Sequence, residues 1–76
     1  MPHVDITMIP GRDYDSKKEI ALQIQKFLAQ ELQIEEKFVS VSIEDVPKEK
    51  WVEHMEGMKE KVMFVKPDTA FRESDI

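Results

Sequence analysis

The sequence predicts an α+β protein, a two-layer α/β sandwich built on one βαβ unit with a second, C-terminal helix and a short terminal strand, completed by self-association. Three observations lead there: an alternating apolar segment opens the chain, a long amphipathic segment follows, and a second alternating segment comes next. The 76 residues, 36% charged and 41% hydrophobic, allow one domain over residues 1–76 and exclude a separate cofactor-binding module.

Val4, Ile6 and Met8 alternate with Asp5 and Thr7, the period of a strand, and Pro10-Gly11 ends it. Ser16 followed by Glu19 fits a capping box, so a helix is expected from Lys17 to about Gln33. Ile20, Ile24, Phe27, Leu28 and Leu32 form its apolar stripe, and Lys18, Gln23, Lys26 and Gln30 face water. A second strand is expected over Phe38–Glu44, with Val39, Val41 and Ile43 on one face and Ser40, Ser42 and Glu44 on the other. Strand, helix and strand in this order predict parallel pairing under a crossover helix.

From Pro47, the residues Trp51, Met55, Met58 and Val62 recur at helical spacing, with Asp45 suited to the cap and Gly57 weakening the helix. Val62-Met63-Phe64-Val65 fits either the last helical turn or a short strand, and the strand is preferred. Residues 68–76 are mostly polar and read as a flexible or partner-contacting tail.

Composition narrows the function. Eleven Lys and Arg against sixteen Asp and Glu give a net charge of −5, the wrong sign for binding nucleic acid or an anionic membrane. No apolar run approaches the roughly 20 residues of a membrane helix and no signal peptide precedes the first strand, so the cytoplasm is the expected location. A folded chain this short hides only about 60–65% of the surface its unfolded form exposes, and it has no cysteine for disulfides. Two histidines are too few for a structural zinc site, which leaves oligomerisation as the expected means of stabilisation. His3 and Asp5 alternate on one strand face without a third convergent ligand and read as a polar pair. His54 beside Glu53 reads as a solvated helix residue, and Met55, Met58 and Met63 as core or interface.

Pro2 is the unusual feature. Removal of Met1, generally favoured when the second residue is small, would leave a secondary amine as the first group of the chain. Free α-amino groups titrate near 7.7–8.0, about the lowest of the amines, and a partly dry site lowers them further by disfavouring the ammonium form. Such an amine is a base at neutral pH, and the ring with the strand behind it fixes the direction of its lone pair. A Met-Pro start also arises by chance in about one chain in twenty, so it gains meaning only in combination. Arg12, just past the first strand, either pairs with Asp13 or Asp15 at the surface or aims its planar fork at a carboxylate. Trp51, the sole tryptophan, reads by itself as a core or interface residue.

Together, Pro2-His3-Val4-Asp5-Ile6, Gly11-Arg12, the capped helix, the strand Val39-Ser40-Val41-Ser42-Ile43 and Trp51 resemble the 4-oxalocrotonate tautomerase superfamily over residues 2 to about 55. The length, the opening Met1-Pro2-His3, the Pro47-to-Trp51 segment and Lys66-Pro67 are most similar to PptA-type tautomerases, which form dimers. The resemblance implies a cofactor-independent isomerase in which Pro2 is the general base, Arg12 holds the substrate carboxylate and Trp51 walls the pocket. It implies a homo-oligomer, with a dimer favoured over a hexamer. Hexameric members carry a second arginine where this chain has Ser40, so the resemblance points away from dicarboxylates and towards a small 2-oxo acid similar to phenylpyruvate. Related dehalogenases and hydratases reuse the same proline, and a non-catalytic oligomeric interaction module on the same fold is the rival reading.

Overall fold

A computed structural model describes residues 1–67 of the chain. Two strands, β1 (His3–Met8) and β2 (Ser40–Asp45), flank a long helix, α1 (Tyr14–Leu32), and a short helix, α2 (Trp51–Glu56), follows them. Turns of 3₁₀ helix occupy Glu36–Phe38, Lys48–Lys50 and Glu60–Val62. The strands pair in parallel along their whole length, from His3 opposite Ser40 to Met8 opposite Asp45, and α1 is their crossover, as expected.

This register sorts the sheet into two faces, because side chains alternate along a strand. Val4, Ile6, Met8, Val41 and Ile43 share the apolar face, and α1 lies along β2 on that side, Ala21 of the helix lining shallow grooves with Val41 and Ile43. His3, Asp5, Thr7, Ser40, Ser42 and Glu44 share the opposite face. Gln25 of α1 donates to the carbonyls of Glu36 and Val39 at 2.9 and 3.1 Å, which pins the helix to the approach of β2.

α1 ends where expected, and its start differs. The helix begins at Tyr14, and its cap is Asp13, whose carboxylate accepts the Ser16 N–H at 2.8 Å; that bond and the Ser16 hydroxyl hold the Asp13 pKa below its ordinary value. Ser16 is therefore inside the first turn, and Glu19 accepts from Gln23 one turn on instead of closing a capping box. Gln33 ends the helix at φ 56°, a left-handed conformation that normally favours glycine, and its N–H reaches the carbonyls of Ala29 and Gln30. Gly11, at φ 144°, meets the same demand where the chain leaves β1.

Two side chains, Ala29 of α1 and Val39 before β2, are the buried core among the described residues. Ile20, Ile24 and Leu28 of the expected stripe are half-buried, whereas Phe27, 61% exposed, and Leu32 stand outside. The described residues thus leave much of their apolar content exposed.

From β2 onward four expectations change. β2 runs from Ser40 to Asp45, because Phe38 is taken up by a 3₁₀ turn. Asp45 does not cap the second helix: it ends β2 and holds Lys17 of α1 at 2.7 Å. The second helix is shorter than its apolar spacing suggested, a 3₁₀ turn replacing its start and Gly57 ending it. The segment Val62–Val65 is neither helix end nor strand: the chain makes a 3₁₀ turn over Glu60–Val62 and then bends, and Phe64 and Val65 are exposed. Among the described residues the sheet consists of β1 and β2 alone, so those four apolar residues join no ladder and their β propensity goes unused. The expected tail lies outside the described residues.

Candidate active site

Pro2 enters the sheet directly. Its carbonyl accepts the Ser40 N–H at 3.3 Å, the ring is half-buried, and Met1 before it is 96% exposed. Ser40, where the hexameric pattern has arginine, therefore stands beside Pro2 at the beginning of β2. Arg12 belongs to the other end of β1. Pro2 precedes β1 and Arg12 follows it, so a six-residue strand of about 20 Å separates them along the chain. Arg12 is exposed and, among the described residues, makes no ion pair or side-chain hydrogen bond. Of the two acids that could have paired with it at the surface, Asp13 instead caps α1.

Trp51 opens α2. It lines a groove of about 530 Å³ with Val52 and Met55 of α2 and with Met63 and Pro67. Glu56, Glu60 and Lys66 form the polar part of the lining, the last two paired at 2.6 Å. Neither Pro2 nor Arg12 lines this groove. Trp51 thus comes together with Met55 and Met63, whereas Met58, read with them as core or interface, is exposed and lies outside the groove.

The polar face of the sheet holds a hydrogen-bonded ladder that sequence reading did not assemble. His3 Nδ1 lies 2.6 Å from the Ser40 hydroxyl and His3 Nε2 lies 2.9 Å from that of Ser42, which in turn donates to Asp5. One consistent direction runs through it: Ser40 donates to Nδ1, Nε2–H donates to Ser42, and Ser42 donates to the carboxylate. Asp5 also hydrogen-bonds the carboxyl of Glu44, and the consequences are opposite for the two acids. The Asp5 pKa is lowered, chiefly by that bond and then by Ser42, and the Glu44 pKa is raised, chiefly by the bond to Asp5 and then by its charge. His3 and Asp5 are therefore a strand-face polar pair, linked through Ser42. The signal was the matched alternation of His3, Asp5 and Thr7 with Ser40, Ser42 and Glu44, which becomes a ladder only once the register is known.

His54 departs from expectation. It is half-buried, its Nε2 lies 3.1 Å from the Thr7 hydroxyl of β1, and its ring sits 5.9 Å from that of Trp51 at an interplanar angle of 37°. The i, i+3 spacing from Trp51 on a helix was the available clue.

The chain is similar in sequence to known proteins. Residues 2–61 match the family model described as tautomerase enzyme. A protein of Xylella fastidiosa (strain 9a5c) described as a probable tautomerase is 32% identical over 57 residues, covering 75% of this chain and 70% of that protein. Among the described residues no helix is long and apolar enough to cross a membrane.

Proposed function

The chain belongs to the tautomerase family, and we propose that it interconverts the keto and enol forms of a small, phenylpyruvate-like 2-oxo acid with Pro2 as general base. The observation that carries this reading is that the family match begins at Pro2 itself, the residue whose nitrogen becomes a secondary amine when the exposed Met1 is removed. In that form the amine takes a proton from the carbon next to the substrate carbonyl. The electrons of the broken C–H bond move towards the carbonyl oxygen, and a proton delivered to that oxygen completes the enol. Arg12 holds the carboxylate and offsets the enolate charge, the kind of preorganised electrostatic help on which proton abstraction next to a carbonyl depends. Trp51 and the methionines beside it offer an apolar surface for the aryl group. A proton transfer consumes no electrons, so the reaction calls for no redox cofactor.

One protomer keeps Pro2 and Arg12 at opposite ends of β1, which supports a composite site in which Arg12 reaches Pro2 of a second copy. We read the assembly as a dimer.

Intact mass should show loss of Met1. An absorbance assay following ketonisation of phenylenolpyruvate should then show turnover that falls by about 100-fold or more in Pro2→Ala, the scale of a positioned general base. Arg12→Ala should chiefly raise KM. At substrate concentrations well below the raised KM of Arg12→Ala, where both variants turn over little, mixing the two in equal amounts should restore about a quarter of the wild-type activity, since half the dimers are mixed and each has one intact site. Retention of Met1 by the active protein would refute the role of Pro2, and failure of the mixture to recover activity would refute the composite site.

A further inference from the structure

The segment after β2 is attached to the βαβ unit by little. α2 has six residues, no side-chain cap and no buried residue, and within the described residues a single side-chain hydrogen bond, His54 to Thr7, ties residues 47–67 to the sheet. Trp51 lies one turn before His54 and packs against its ring on one side while lining the apolar groove on the other. Thr7 is a fixed anchor, because β1 is paired with β2 on both sides of it. The orientation of Trp51 relative to the sheet is therefore set largely through one imidazole.

We propose that His54, held by the Thr7 hydroxyl, is a positioning residue that fixes the Trp51 ring and thereby sets the preference of the site for an aryl group over a short alkyl group. The inference rests on the tautomerase reading for its substrate part. His54 touches neither base nor carboxylate clamp, so its removal leaves the chemical step intact and loosens only the wall. Val52 and Met55 hold the rest of α2 through non-directional packing, which tolerates rotation of the helix; the hydrogen bond does not.

The test uses the fact that Trp51 is the only tryptophan, so its fluorescence reports on this ring alone. Thr7→Val keeps the shape and strand preference of the residue and deletes the hydroxyl; Thr7→Ser keeps the hydroxyl. Thr7→Val and His54→Ala should each shift Trp51 emission to the red and increase its quenching by acrylamide. The double variant should do no more than the larger single effect, because both remove the same bond. Thr7→Ser should retain wild-type emission. KM for phenylenolpyruvate should rise about fivefold in Thr7→Val, the scale of one hydrogen bond. KM for the enol of a short alkyl 2-oxo acid, and kcat for both, should stay within about twofold, since no group that touches the reacting atoms has changed. Unchanged emission in Thr7→Val, or an equal rise in KM for both substrates, overturns the proposal. If the wild-type protein shows no turnover, the functional reading fails while the fluorescence comparison still decides whether His54 positions Trp51.

Discussion

Residues 3–45 and residues 46–67 are held in place by different means. The first region has six register positions of parallel pairing, a 19-residue helix and both buried side chains. Its ends are tied as well, by Asp13 at the start of α1 and by the Lys17–Asp45 ion pair between helix and β2. The second region is a string of short pieces, two 3₁₀ turns around a six-residue helix, with no buried residue. Cooperative pairing secures the first, whereas isolated turns cannot propagate and depend on what they lean against. The residue proposed as general base immediately precedes the first region and the residue proposed to choose the substrate starts the helix of the second. Catalytic placement and substrate choice are thus assigned to parts of the chain that can change independently.

The sharpest way to break that contrast is to make one chemical deletion in each region. Val39 is 4% exposed and Val62 is 57% exposed. Val39→Ala removes about two methylene equivalents from a packed site and should cost about 2 kcal/mol in denaturant unfolding. Val62→Ala should change stability by less than about 0.5 kcal/mol. Equal losses would show that the arm is buried in the assembly and that the contrast belongs to the isolated protomer alone.

A smaller effect is expected at the end of α1. Gln33 occupies a left-handed conformation that costs a residue with a Cβ, so Gln33→Gly should stabilise the protein by about 0.5–1 kcal/mol. An unchanged or lowered midpoint would mean that the Gln33 side chain contributes something its backbone strain conceals.

The smallest effect lies at the seam between the regions, where Asp5 and Glu44 share the sheet face on which His54 docks. The contribution of Asp5, whose pKa is lowered, is fully present above pH 3.8 and is lost as pH falls through its lowered value. Glu44, whose pKa is raised, contributes fully below pH 4.5, and that contribution is lost as pH rises through its raised value. The pair is therefore most favourable between those limits, when it shares one proton. Glu44→Gln keeps a donor to Asp5 with no proton to lose, so its melting temperature should fall less than that of the wild type as pH rises from 4.5 towards neutrality. Parallel curves for the two proteins would show that the carboxyl pair does not matter to stability in solution.

The same division explains how much could be read from the amino acids alone. Alternation of Val4, Ile6 and Met8 and of Val39, Val41 and Ile43, with a long amphipathic segment between, was enough for the βαβ unit, because a strand period and a helix period differ along many residues. The start of α1 was harder. Ser16 and Glu19 have the spacing of a capping box, but Asp13 offers a stronger acceptor three residues earlier and takes the cap. Past residue 45 the elements are too short for periodicity to decide, so Val62–Val65 resolves into a turn and a bend instead of a strand. Of the proposed site, Pro2, Arg12 and Trp51 stand out by type and by the family resemblance, whereas the position of Pro2 beside Ser40 required the strand pairing. His54 was passed over because its significance lies in a contact with Thr7, 47 positions away in the chain.

The scarcity of hidden side chains in a single copy has a consequence for the cell that makes it. If the working unit is a dimer, then at concentrations where copies separate the population of assembled enzyme varies with the square of the total chain present. Turnover per molecule should then decline as the preparation is diluted, and a modest increase in expression should yield a disproportionate gain in flux.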